Sequence, residues 1–268
     1  MTLQILALGW STTVQDAGRP GHAAIGVPPS GALDPQLRAL VNRLVGNAEE
    51  AAVLETAGGL RLRASVGCTI ATSAELGVQA MRAGAELAVD PGPEQLWAYL
   101  AVRGGLAFEP VLGSVSHDTL SGLGPPPLLA GQILMAGPDP ATELVVDIAA
   151  VAAFAGPIVV WPGPRAELFG VDGLRRFART PWRVSSEVSR IGMRLDGPKL
   201  HPTGAAELPS EGLITGSIQV PPDGRPIVML ADHPTTGGYP VIAVVDPNCV
   251  AAVAQTRPGS TLRLDLRV

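Results

Sequence analysis

The run Asp232-His233-Pro234-Thr235-Thr236-Gly237-Gly238-Tyr239 gathers a carboxylate, an imidazole, two hydroxyls, a phenol and paired glycines into eight residues. Paired glycines let a ligand approach the backbone and present N–H groups to an anion. Asp232 is the only carboxylate of the run, which makes it the candidate general base, or the group that orients one. Arg190 would add a guanidinium able to hold a carboxylate or phosphate in a two-pronged fork. Gln219, on the strand before the run, is the candidate neutral partner. Such a set suits a small anion, or a carboxyphosphate or acyl-phosphate intermediate. An ordinary polar hairpin loop would use the same residue types, with Asp232 a turn residue before His233-Pro234. A second polar group lies near the N-terminus: Arg19 beside Asp16, then Ser30 and Asp34. Each arginine could equally sit in a surface or interdomain ion pair. Ser30 and Ser217 lack the Gly-x-Ser-x-Gly setting of a nucleophile elbow.

Composition removes several function classes. A net charge of −5 with no basic or acidic block leaves no electrostatic footprint for nucleic acid or an anionic membrane. Lys199 is the only lysine, so no Walker-type Gly-Lys-Ser/Thr exists and any phosphate must be held by arginine or backbone N–H. His22, His117, His201 and His233 show no metal spacing, and no metal is expected. Cys68 and Cys249 read as reduced core thiols. No stretch reaches the length of a membrane span and no basic segment precedes the short apolar run at the N-terminus, so a soluble cytoplasmic chain is expected.

The elements that must carry these groups are short. Thirty-two Gly and 26 Pro with 4% aromatics argue for many turns between brief segments. Apolar content of 46% is enough for a sizeable core. The clearest helix starts at Asp34 as N-cap and Pro35 as N1, carries Leu37, Leu40, Val41, Leu44 and Val45 on one face, and stops at Gly46. Asp34 therefore has a capping task besides any binding task. Segments 53–55, 60–64, 69–72, 87–89, 97–102 and 133–135 read as strands, too short and closely spaced for βαβ units. Residues 112–127 form a long irregular excursion. Residues 149–156 are the best boundary, giving domains at 1–150 and 156–268. Beyond it, strands are expected at 158–161, 182–186, 217–220, 227–230, 241–245 and 261–266. Helical residues are expected within 165–179, and Asp246-Pro247 opens a helix to about Gln255. Residues 189–197 read as an arginine-rich turn, and Pro221-Pro222-Asp223-Gly224 as a turn with its chemistry in place. Val27-Pro28-Pro29-Ser30-Gly31 faintly echoes Val220-Pro221-Pro222-Asp223-Gly224.

Several blocks in order carry a resemblance. They include Val14-Gln15-Asp16-Ala17-Gly18-Arg19-Pro20-Gly21, Ser30-Gly31-Ala32-Leu33-Asp34, Leu54-Glu55-Thr56 and Tyr99-Leu100-Ala101-Val102-Arg103-Gly104-Gly105. Arg190-Ile191-Gly192-Met193-Arg194-Leu195 and Thr235-Thr236-Gly237-Gly238-Tyr239-Pro240 complete them. The chain resembles the family of the 5-oxoprolinase C-type subunits, KipA and allophanate hydrolase subunit 2, which includes biotin-dependent carboxyltransferases. The resemblance implies a mainly β fold of two cyclophilin-like β-barrel halves with a few short helices. It implies ATP-dependent opening of a cyclic or amide substrate, 5-oxo-L-proline to L-glutamate, with the B-type and A-type 5-oxoprolinase subunits as partners. ATP would enter as co-substrate. Lys199 lies between Pro198 and Leu200 rather than in a Met-Lys-Met setting, so no covalent biotin is expected. The alternatives are amide chemistry of the carboxyltransferase and allophanate hydrolase type, or a non-catalytic KipA-like protein that modulates its partner. Val115 and His117 in Gly113-Ser114-Val115-Ser116-His117 depart from the family's Gly-Ser-Arg-Ser-Thr. The site is expected where the Asp232–Tyr239 run meets Arg190 and residues 26–34, in a cleft between the halves, with Gln219, Arg19, Ser30 and Asp34 contributing.

Overall fold

The computed structural model describes residues 2–144, 154–204 and 208–267, so part of the expected boundary at 149–156 lies outside the described residues. The protein is mainly β, and its chain forms two compact units: Met1–Arg19 with Ser30–Ala153, and Pro20–Pro29 with Phe154–Val268.

The first unit holds strands β1 (Thr2–Ala7), β2 (Thr12–Gln15), β3 (Val53–Thr56), β4 (Leu60–Ala64), β5 (Cys68–Thr72), β6 (Gly77–Met81), β7 (Glu86–Val89), β8 (Ala98–Val102) and β9 (Ile133–Met135), with helix α1 (Pro35–Leu44). They form two antiparallel sheets, ordered β7-β4-β1-β9 and β2-β3-β8-β5-β6. In Leu60-Arg61-Leu62-Arg63-Ala64 the apolar residues are buried and both arginines exposed, as a period of two dictates for a one-sided strand. Ile5, Leu62, Leu54, Ile70 and Leu100 meet in one core. Helix α1 packs on β8 and β5. Its ends follow the sequence rules: the Asp34 carboxylate accepts from the Leu37 N–H at 3.1 Å, and Gly46 takes φ +74° just past the helix.

The second unit holds β10 (Ile158–Pro162), α2 (Gly170–Arg179), β11 (Trp182–Val188), β12 (Gly192–Asp196), β13 (Glu211–Gly212), β14 (Ser217–Gln219), β15 (Ile227–Met229), β16 (Thr236–Gly237), β17 (Val241–Val245), α3 (Pro247–Gln255), β18 (Thr261–Leu262) and β19 (Leu264–Leu266). Eight of these strands make one sheet in the order β18-β11-β12-β15-β14-β17-β10-β19. Its two edges, β18 and β19, are separated in sequence only by Arg263. One short stretch of chain therefore ends both sides of the sheet, and the sheet curls into a nearly closed barrel, the arrangement that leaves few open edges.

Residues 189–197, expected from sequence to be a turn, contain β12 instead. Met193 and Leu195 point into the core between the partly exposed Gly192, Arg194 and Asp196, so the arginines hid a period-two pattern. The turn at 221–224 forms as expected, closed by the Gly224 N–H to the Pro221 carbonyl at 2.9 Å with Gly224 at φ +78°.

Candidate functional site

The polar run begins where β15 ends. There the backbone N–H of Asp232 donates to the Arg190 carbonyl at 3.0 Å, and that of Leu230 to Ile191 at 2.9 Å, so the run starts against the entrance to β12. The same two residues meet through their side chains. Arg190 Nε and Nη2 donate to Asp232 Oδ2 and Oδ1, each at 2.9 Å. Both side chains are essentially buried, at 1% and 0% exposure. Two parallel charge-assisted bonds fix geometry as well as energy. The pair thus anchors the first residue of the run to β12, and both carboxylate oxygens of Asp232 are engaged by a permanent cation. His233 is buried next to it, with Nδ1 2.8 Å from the Pro234 carbonyl, a contact that suits an Nδ1–H donor.

The remainder of the run turns outward. Thr235 and Gly237 are partly covered, whereas Thr236, Gly238 and Tyr239 are exposed. Neither glycine has a left-handed φ. Gly237 sits in a tight place: a Cβ there would lie 2.6 Å from Gln219 Nε2 and 2.9 Å from Leu213 Cδ1, so those side-chain ends would have to shift. The buried Gln219 amide occupies that gap and donates to the Tyr239 carbonyl at 3.0 Å. It braces the loop from inside. From the other side β13 pairs with β16, Glu211 opposite Gly237 and Gly212 opposite Thr236, while the Leu213 N–H reaches the Thr235 carbonyl at 2.9 Å. Arg165 forks Glu211, with Nε 3.2 Å from Oε2 and Nη2 bonded to Oε1. Sequence reasoning missed Arg165 and Glu211, because their pairing spans a separation in sequence that no local pattern reveals.

Arg19, Ser30 and Asp34 belong to the first unit, and the other sequence-derived candidates to the second. Arg19 is 1% exposed and donates through Nε to the Val111 carbonyl at 3.3 Å and through Nη2 to the Ser116 carbonyl. Beside it the Asp16 carboxylate accepts from Gly18 N, Val115 N, Ser114 Oγ and Ser116 Oγ at 2.6–2.7 Å. The irregular excursion at 112–127 is thereby sewn to the end of β2. Ser30 is buried at φ +53°, a sparsely populated region for a residue with a side chain, followed by Gly31 at φ +89°. Gly31 passes so close to the 17–18 backbone that a Cβ would be 3.0 Å from Gly18 N.

Asp34 sits in a buried polar network that sequence reasoning did not assemble. The Tyr99 hydroxyl donates to Glu55 Oε2 and accepts from the Asp34 N–H, both at 2.8 Å, and Glu55 Oε2 also accepts from Leu33 N at 2.8 Å. Glu55 and Tyr99 face each other across the β3–β8 pair. Burial, then the neighbouring Glu55 and Asp34, hold the Tyr99 phenol well above its ordinary range. Burial likewise pulls the Arg38 guanidinium below its ordinary value, against the opposing pull of Glu50, Asp16 and Glu49. The available signal was a glutamate at the end of the strand read at 53–55, after two apolar residues. Asp34→Ala should cost about 1 kcal/mol as an N-cap loss, read by chemical denaturation.

Among the described residues no cluster of three or more His, Cys, Asp or Glu could hold a metal ion, and no helix is long and apolar enough to cross a membrane. Comparison with known proteins connects this arrangement to a family. The model for the carboxyltransferase domain, subdomain A and B, matches residues 25–266. The C subunit of 5-oxoprolinase from Escherichia coli (strain K12) is 36% identical over 264 residues, which covers 91% of this chain and 84% of that protein. Among solved structures, TTHA0988 superposes with a TM-score of 0.88 at 32% identity over 98% of this chain, which spans only 56% of that chain. The K. lactis urea amidolyase gives a TM-score of 0.89 at 27% identity over 100% of this chain, which accounts for 19% of that protein.

Proposed function

Since the chain belongs to the carboxyltransferase domain family, we propose that it acts as the C-type subunit of an ATP-dependent 5-oxoprolinase, a hydrolase that opens 5-oxo-L-proline to L-glutamate together with its B-type and A-type subunits. The observation that carries this reading is the 36% identity to a protein named as the C subunit of 5-oxoprolinase, over most of both chains. Amide chemistry of the urea amidolyase type is the second reading, favoured by the TM-score of 0.89 to the K. lactis enzyme. A KipA-like partner without activity of its own is a third.

In the first reading the loop at 235–239 carries the site. The exposed Thr236, Gly238 and Tyr239 and the partly covered Thr235 and Gly237 offer hydroxyls and backbone N–H groups to a carboxylate or a transferring phosphoryl group. Gln219 holds the loop from beneath, and the Arg190–Asp232 pair fixes where it starts. With both carboxylate oxygens in the arginine fork, Asp232 acts here as a positioning group rather than as the base expected from sequence. A triphosphate needs several free donors, and Arg190 gives Nε and Nη2 to Asp232. In this reading ATP enters as a co-substrate of the assembled complex, in the cytoplasm, with no biotin attached to this chain.

The test is co-expression with the partner proteins, followed by measurement of ADP and glutamate release from 5-oxoproline. Release is expected from the assembled complex and not from this chain alone. An intact complex that hydrolyses no 5-oxoproline would remove the reading, and turnover of urea in its place would install the second.

A further inference from the structure

We infer that β13 is a positioning strap for the loop at 235–238, held at its far end by the Arg165–Glu211 pair. The inference rests on the reading that this loop carries the site. Three observations support it. First, β13 is only Glu211–Gly212, and among the described residues it pairs with β16 alone, so its ladder serves the loop and not the barrel. Second, its side-chain tether reaches a rigid point. Arg165 donates its backbone N–H to the Val241 carbonyl at 3.2 Å, and two residues earlier Gly163 lies so tightly on β17 that a Cβ would be 2.3 Å from the Val241 carbonyl oxygen. The guanidinium thus projects from a segment pressed against the barrel, with Glu167 also within 3.8 Å. Third, the loop backbone at Gly237 is enclosed between this strap and the Gln219 amide. Glu211 fixes one side of it and Gln219 the other.

The alternation along the ribbon has a consequence for ligand contact. Leu213 and Glu211 lie opposite Thr235 and Gly237 on the covered side, and Gly212 lies opposite Thr236 on the exposed side. Releasing the strap would therefore let the covered and exposed sets exchange places, because a strand presents successive residues to opposite faces. Arg165 and Glu211 touch no reacting atom in this scheme. They act through the loop, as positioning residues.

Hydrogen exchange of the loop amides, followed by mass spectrometry on the full chain, tests the strap without reference to any reaction. In Glu211→Gln the peptide covering 235–239 should exchange about two- to fivefold faster, the effect of losing one partly exposed ion pair, while the barrel strands keep their protection. Arg165→Glu, which sets two like charges together, should exchange faster still. The charge-reversed double variant, Arg165→Glu with Glu211→Arg, should return the loop toward the parent rate. Unchanged loop exchange in both single variants would overturn the strap. In the assembled complex, Glu211→Gln should raise KM for 5-oxoproline by a similar factor and leave kcat unchanged, with the double variant restoring KM. A loosened loop with an unmoved KM would show instead that the loop does not bind the substrate, which defeats the site reading while the strap itself stands.

Discussion

Arg190→Ala is expected to lower the unfolding free energy by about 3–5 kcal/mol, the cost of leaving one charge of a buried ion pair uncompensated. Asp232 is 0% exposed and gives both oxygens to the lost guanidinium, so no solvent is at hand to replace the fork. Replacing the pair by apolar side chains of similar volume, Arg190→Met with Asp232→Leu, should recover most of the loss, because the cost lies in the orphaned charge and not in the absence of attraction. Urea denaturation of the three proteins reads this directly. A single variant within about 1 kcal/mol of the parent would mean that water reaches the pair, a cost typical of surface pairs. Activity should follow stability. The pair fixes the first residue of the loop, and a misplacement of about 1 Å in a site costs on the order of 10²-fold in rate. Arg190→Ala in the assembled complex should therefore lose about that factor even at temperatures where it remains folded.

Tyr99→Phe should destabilise the first unit by about 1–3 kcal/mol, the cost of removing one partner from buried hydrogen-bonded groups. Removing the hydroxyl takes the Tyr99 acceptor from the Asp34 N–H and one of the donors from Glu55 Oε2, which keeps the Leu33 N–H. The same hydroxyl makes stability depend on alkaline pH. Its folded pKa is raised, so its contribution is complete below the ordinary phenol value and is lost as pH climbs above it. Above a pH of about 10 the unfolded chain releases this proton and the folded chain keeps it, and stability should fall by about 1.4 kcal/mol per pH unit. Denaturation midpoints collected across that interval should show the slope in the parent and lose its Tyr99 component in Tyr99→Phe. Equal slopes in both proteins would refute the assignment.

What the sequence made legible was local. The Asp34-Pro35 and Asp246-Pro247 helix starts need only a side chain within reach of its own first turn, and both form, with Asp246 capping Asn248 as Asp34 caps Leu37. The turn at 221–224 is equally self-contained. Strand β2 escaped notice because Thr12-Thr13-Val14-Gln15 has one apolar residue, and it is a strand by virtue of its partner β3. Arg190 and Asp232 could each be picked out as chemistry-bearing, but they are 42 residues apart, and nothing local says that they bind each other. Gly237 stood out from sequence for the close approach it offers a ligand, and nothing local told that the Gln219 amide of another strand lies against it. Sequence patterns report what a residue can do alone, and the site is set by which residues occupy one another.

The placement of β18 and β19 on opposite edges bears on how the second unit can be made during synthesis. A ribosome delivers residues in order, and both margins of this sheet wait for the same last stretch, Thr261–Leu266. Until it emerges, β11 and β10 present open edges that can pair with any neighbouring strand, including those of another nascent chain. Closure is thus a single late event that seals two exposed seams together. A ribosome stalled or a chain cut shortly before Thr261 would yield a unit open on both sides, prone to self-association rather than merely shortened. Variants that slow docking of these few residues should accordingly reveal themselves first as lower soluble yield, before any change in the properties of the folded protein.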